Sequence, residues 1–417
     1  MAIKSAQNRW YVLVILSFIP IIMVLGNSMI IPVLPTIGEK FHLSSFQTSL
    51  LITLFSFPAA MMIPIAGVLA DRMGRKNTIL YSFILYGIGG LLSGLAAIWG
   101  SYPFMLISRV LQGIGAAGTA PITMVLVSDL FQEDERSKSL GIIEAANAMG
   151  KVLSPIFGSL LAMIIWYAMF FSFPLLCIPI AICFWFFIHD SSQLKPAPLA
   201  EYIHQINKIK KRHGRWLIVA FLVGFITMFS MFGVLFYFSD YLEQTLHVSG
   251  LSKGFVLAIP LLGLCLTSYF VGSYIKQKTH QMKWLIVSGL GFAGMMMVFI
   301  PWTNQFLLLL LFLFLLGIAN GLILPCLNTM ITSAIGYQER GIITSLYSSI
   351  RFFGVALGPP IFGVFHHRPE LLFLAISLTF FLSAVLTIFF IYRPQRIRGI
   401  NNRSRLMMHK KRFSPTQ

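Results

Sequence analysis

Long apolar runs, each closed by a short polar or glycine-rich break, recur along the whole 417-residue chain. A helix needs about 20 such residues to cross roughly 30 Å of hydrocarbon, because each backbone N–H and C=O must find its partner inside the segment. Twelve runs meet that requirement, at 11–34, 46–70, 78–98, 102–127, 138–163, 166–189, 216–238, 251–275, 284–301, 305–327, 341–365 and 370–392. Between Asp190 and Gly214 the apolar pattern stops and a basic stretch appears, including Lys208-Ile209-Lys210-Lys211-Arg212. Six runs precede it and six follow. The pattern therefore predicts an all-α membrane protein of two six-helix bundles, 1–190 and 215–392, joined by a cytoplasmic linker over 191–214 and ending in a basic cytoplasmic tail over 393–417. The linker reads as an amphipathic helix lying on the membrane surface.

The two halves repeat each other. A shift of about 204 residues brings Gly113 onto Gly317, Pro121 onto Pro325 and Glu135-Arg136 onto Glu339-Arg340. One residue more aligns Pro155-Ile156-Phe157-Gly158 with Pro360-Ile361-Phe362-Gly363. Internal repeats of this kind accompany carriers whose halves rock about a site near the bilayer midplane.

Composition agrees. Hydrophobic residues make up 57%, charged residues 11%, and mean hydropathy is +0.81, whereas soluble domains carry about 25% charge. The net charge of +18 raises the question of a nucleic-acid partner, and the placement of the bases answers it. With the N-terminus in the cytoplasm, all but six of the 31 Lys and Arg fall on the inner side; Lys40, Lys253 and Arg368 fall outside, and Arg109, Lys151 and Arg351 within spans. That asymmetry is the positive-inside rule, and it puts both termini in the cytoplasm of a bacterial cell. The tail from Arg393 to Arg412 reads as an anchor on anionic lipid, and nucleic acid is not an expected partner. The first run lacks a cleavage site and stays as a helix. Cys177, Cys183, Cys265 and Cys326 all lie in apolar runs and read as packing residues, with no disulfide framework or metal site expected.

Gly67-Val68-Leu69-Ala70-Asp71-Arg72-Met73-Gly74-Arg75-Lys76 packs one acid and three bases between two spans, so it belongs at the water boundary. It resembles the GxLaDrxGrk loop between helices 2 and 3 of the major facilitator superfamily. Arg109 to Ala117 resembles that family's second motif, RxxqGxgaa. The series Gly141, Gly150, Ser154, Pro155, Gly158, Ser159 is similar to the antiporter motif gx8gx3GPx2GG, with serine at two glycine positions. Leu25 to Pro35 resembles lgx5PvxP, associated with the twelve-helix drug:proton antiporters. The resemblance implies alternating access and, from the antiporter motif, export. It also implies a gating role for Asp71, Arg72, Gly74, Arg75, Lys76 and Gly67, and for Arg109 a part in proton coupling. A structural alternative stands beside each: ordinary topology-setting charge for the turn, and hydrogen bonds to helix 1 carbonyls for Arg109.

Glu144 is the sole acid well inside a run, and a carboxylate that is alternately dried and wetted can take up and release a proton. Its alternative is a structural bond near Glu135 and Arg136. Lys151, seven residues on, shares its face but lies about 10 Å along the axis, too far for a direct pair. The expected proton-coupling set is Glu144, Arg109 and Lys151. Three cations against one acid make the interior positive, which favours a neutral, zwitterionic or anionic solute. Asn27, Gln112, Asn147, Asn320, Tyr347 and Arg351 are candidate substrate contacts. The expected function is proton-coupled export of small amphipathic compounds; the alternative is export or flipping of a defined metabolite, such as a lipid-linked glycan, siderophore or sugar. No GxxxxGK or HExxH pattern occurs, so neither ATP-driven pumping nor metal-dependent hydrolysis is expected. The expected partners are a small-molecule substrate, protons and the bilayer, with no cofactor or metal, the proton gradient as energy source, and a monomeric chain.

Overall fold

The computed structural model describes residues 6–131, 133–188, 199–275, 279–303, 305–334, 340–366 and 368–391. Among them there are twelve helices long and apolar enough to cross a membrane, and no strand. Spans 1 to 6 are Trp10–Phe41, Ser45–Met73, Arg75–Ile98, Tyr102–Leu130, Ser139–Ile164 and Ala168–Phe187. Spans 7 to 12 are Gly214–Gln244, Gly250–Gly272, Gln281–Trp302, Phe306–Thr332, Gly341–Val364 and Pro369–Phe390. The basic tail and residues 189–198 lie outside the described residues.

Local chemistry sets the ends of these helices. Ser44 caps span 2: its hydroxyl accepts from the Gln47 N–H at 3.3 Å while the Gln47 carbonyl oxygen Oε1 accepts from the Ser44 N–H at 2.9 Å, a reciprocal box that satisfies two otherwise orphaned donors. Spans 2 and 3 are separated by Gly74 alone, at φ +88°. A one-residue reversal needs that left-handed backbone, which is why glycine stands there. Span 1 extends beyond its expected end at residue 34, through a short 3₁₀ turn Ile31–Val33 and a helix Leu34–Phe41. Pro32 and Pro35 sit in the first turns of those pieces, where a missing N–H costs nothing. Span 4 is broken in two at Gly118-Thr119, and Pro121 opens its second piece.

The repeat in sequence is a repeat in packing. Span 1 lies on 5, 2 on 4 and 3 on 6; likewise 7 lies on 11, 8 on 10 and 9 on 12. Lipid supplies no hydrophobic drive between helices, so these contacts rest on close approach at small residues. A Cβ at Gly113 would overlap the Phe55 carbonyl oxygen, and one at its repeat partner Gly317 would overlap that of Pro260. Gly150 and Gly158 of the antiporter motif were expected to face the opposite bundle. Instead both lie against span 1, at Ile21 and Met29, inside their own bundle.

The bundles meet along two seams, span 2 with 11 and span 5 with 8. At the end remote from the linker the seams are closed. Ser239 donates to the Ile31 carbonyl at 2.6 Å and Thr53 to that of Ala356 at 2.7 Å, both across the interface. A Cβ at Gly254 would sit 2.7 Å from the Pro155 oxygen, and one at Gly363 3.0 Å from that of Ser45. Toward the linker end a Cβ at Gly141 or Gly341 would meet no described atom within 4 Å, while one at Gly67 of span 2 would lie 3.5 Å from Ser345 Oγ of span 11. The interface is thus closed at the far end, and at the linker end spans 2 and 11 still approach each other.

Candidate functional site

Helical spacing puts Glu144, Asn147 and Lys151 on one stripe of span 5, at positions three and seven apart. Glu144 is exposed, and Asn147 and Lys151 are half-buried. Both Glu144 and Arg351 act electrostatically on Lys151, and both act on Tyr347 of span 11. Lys151 of span 5 and Arg351 of span 11 are therefore within electrostatic reach of each other, with Glu144 the carboxylate within reach of Lys151 and of Tyr347. Pro155 lacks an N–H, so it leaves the Lys151 carbonyl without its usual helical partner one turn away. Ser154 spends its hydroxyl on the Gly150 carbonyl, at 2.6 Å.

Span 11 supplies the other wall. The Arg351 guanidinium lies over the Tyr347 ring at 5.5 Å, yet its Nε is buried with no hydrogen-bond partner among the described residues. Tyr347 is 2% exposed, stacks on Phe221 at 5.8 Å, and its hydroxyl is likewise unpartnered. In span 10 the Asn320 side chain donates to Met231 Sδ at 3.4 Å and leaves its oxygen bare. Buried polar groups are nearly always satisfied, so Arg351 Nε, the Tyr347 hydroxyl and the Asn320 oxygen stand out as unpartnered groups within the second bundle.

Arg109 does not join this group. It is fully buried inside the first bundle, where it donates to the carbonyls of Gly26 at 2.9 Å and Leu51 at 3.0 Å and to Gln112 Oε1 at 2.6 Å, and lies over the Phe55 ring at 4.5 Å. Those bonds tie spans 1, 2 and 4 together, as the structural alternative for this residue expects. Asn27 is buried beside them and accepts from Ser56 at 3.3 Å. Asn27 and Gln112 thus belong with Arg109 to the interior of the first bundle.

In the charged turn, Arg75 is buried and ion-paired with Asp129 at the end of span 4. Lys76 donates to the Trp185 carbonyl at 2.6 Å and lies over the Trp185 ring at 5.0 Å, a cation on the last turn of span 6. These bases brace spans 4 and 6 of their own bundle. Asp71 is half-buried, Arg72 is exposed, and Gly67 looks across the seam, where a Cβ would lie 3.5 Å from Ser345 Oγ.

One charged group escaped the sequence reading. Lys253, placed outside by the charge count, is a buried residue of span 8, 2% exposed and paired with Glu243 of span 7 at 2.5 Å. Asp240, one turn before Glu243, is 8% exposed and faces His366 at 3.5 Å. The signal was Asp240 and Glu243 three apart at a span end, but Lys253 stands ten residues beyond Glu243 and His366 lies after span 11.

Two pseudo-symmetric six-helix bundles that meet along two seams, with unpartnered polar groups buried in the second, define the class as a membrane carrier. The chain belongs to the Major Facilitator Superfamily, whose family model matches residues 16–359 and 304–408. It is 42% identical over 356 residues to the bacillibactin exporter of Bacillus subtilis (strain 168), covering 84% of this chain and 89% of that one. The multidrug efflux protein YfmO of the same organism is 27% identical over 84% of each chain. Among solved structures, the D-xylose-proton symporter superposes with a TM-score of 0.77 at 13% identity, covering 93% of this chain and 99% of that one. The protein is a multi-pass membrane transporter and not an enzyme.

Proposed function

We propose that this transporter exports a small anionic metabolite of the siderophore class by alternating access, with proton exchange at Glu144. The observation that carries the reading is the pair of cations, Lys151 and Arg351, one from each bundle and within electrostatic reach of each other, with the Arg351 Nε unpartnered. Two cations at close range repel, and an anion between them both relieves that cost and draws the bundles together. Glu144 is the resident counter-charge. With the linker end in the cytoplasm, as the positive-inside rule argues, a carrier closed at the far end stands in the loading state of an exporter. The 42% identity to a siderophore exporter supports this cargo class.

Drug extrusion is the second reading, favoured by the antiporter-like series in span 5 and the 27% identity to a multidrug efflux protein. Deletion of the gene separates the two: retention of an iron chelator in the cell, with poor growth under iron limitation, supports the first, whereas sensitivity to many unrelated dyes without an iron defect supports the second. Proton exchange is tested in vesicles with an imposed pH gradient. Wild type should respond to the gradient and Glu144→Gln should not; an equal response from both removes Glu144 from the coupling.

A further inference from the structure

At the far end of the closed interface, the last turns of span 7 run beneath the segment of span 1 that follows Ile31. Ser239 donates across the bundles to the Ile31 carbonyl at 2.6 Å, and the next residue is Asp240. Asp240 Oδ1 accepts from Gln244 at 2.6 Å, while Oδ2 is buried without a hydrogen bond. Lys253 is held by Glu243 at 2.5 Å, so the positive group nearest Oδ2 is His366 Nε2 at 3.5 Å, which is charged only when protonated. The groups that act on Asp240 are Glu39 from the first bundle, Glu243 on span 7, Lys253 on span 8 and His366 after span 11; Tyr241 on span 7 and Glu370 on span 12 act on its neighbour Tyr237. With His366 neutral, that is three carboxylates, Asp240 among them, against one lysine. Beside the Glu243–Lys253 pair lies a cavity of about 160 Å³ between the bundles, lined among others by Val33, Thr36, Ser159 and Ala162, and the buried Ser159 hydroxyl is unpartnered.

We infer that Asp240 and His366 form a second proton-binding site, filled when the far end closes and emptied when it opens. Closing dries Asp240 and brings Glu39 against it, and a carboxylate loses its water only at great cost unless charge is supplied. One proton, held between Oδ2 and Nε2, supplies it. Opening returns Asp240 to water and withdraws Glu39, so the proton leaves. The sign follows from linkage: the closed state binds more protons, so acid on the far side drives closure there and opening at the linker end. The inference is independent of the cargo and of Glu144.

The test is a distance measurement in full-length, lipid-embedded protein without substrate. Trp99→Cys and Trp302→Cys, both about two-thirds exposed at the far ends of spans 3 and 9, carry spin labels in a background with the four native cysteines replaced by alanine. Between pH ~5 and pH ~9 the closed population should fall about tenfold or more relative to the open one. Asp240→Asn should stay closed throughout, and Glu39→Gln, at an exposed position tolerant of change, should keep more closed protein at the alkaline end. Asp240→Asn leaves Glu144 intact, so loss of the far-end response in that variant assigns the response to this site and not to the coupling proposed above. A flat response in the parent protein, or an unchanged one in Asp240→Asn, overturns the inference.

Discussion

Two arginines inside the spans, Arg109 fully buried and Arg351 half-buried, show how one residue type serves two ends. Arg109, in the interior of the first bundle, has a partner on each of its three nitrogens and an aromatic ring beneath it. Arg351, at the seam, has a ring beneath it but a bare Nε. A satisfied guanidinium in a dry place is a strut, since its bonds are already made. An unsatisfied one at the seam keeps bonding capacity for a visitor. Sequence shows only that each sits in an apolar run; the difference lies in which carbonyls the neighbouring helices bring within reach.

The sharpest way to break this contrast is to remove each arginine. Arg109→Ala strands the Gly26 and Leu51 carbonyls and should cost about 3–5 kcal/mol, seen as a steep loss of thermal stability and yield; Arg109→Lys should not restore it, because a point charge cannot serve three acceptors in a fork. A stable but inactive Arg109→Ala would move Arg109 from strut to site. Arg351→Ala should leave unfolding within about 1 kcal/mol of wild type, since no hydrogen bond to Nε is lost, while transport falls roughly 10- to 100-fold, the worth of one charged hydrogen bond to cargo. Lys151→Ala should reduce transport by about tenfold in the same assay, with the loss largest for anionic cargo. Asp71→Asn should insert normally and slow turnover several-fold on the order of what loss of one charged contact costs; full transport by the well-expressed variant would leave the turn as topology alone. The smallest effect belongs to Lys76→Ala, about 1 kcal/mol in thermal unfolding from its lost bond and ring contact at Trp185.

The twelve spans were legible because a bilayer demands long apolar helices and leaves few alternatives. So was the repeat, whose paired glycines Gly113 and Gly317 do the same work at corresponding crossings. The direction in which the span 5 glycines point was not legible. Gly150 and Gly158 mark a close approach, yet spacing along one helix does not say which neighbour approaches, and span 1 does. The set Glu144, Lys151, Tyr347 and Arg351 was named residue by residue, but that spans 5 and 11 bring it together depends on the rotation of both helices. Lys253 was misplaced for a related reason: a lysine three residues into a span looks solvated until Glu243 is seen beside it.

Span 7 is the later part of a single continuous helix, Leu199–Gln244, of 46 residues. At 1.5 Å per residue that is about 69 Å of axis, more than twice the hydrocarbon thickness. Its first turns therefore stand clear of the bundle while sharing an unbroken backbone with it. Any tilt of the second bundle sweeps that free arm through the water, and whatever grips the arm, a headgroup or another molecule, gains leverage over the rocking itself.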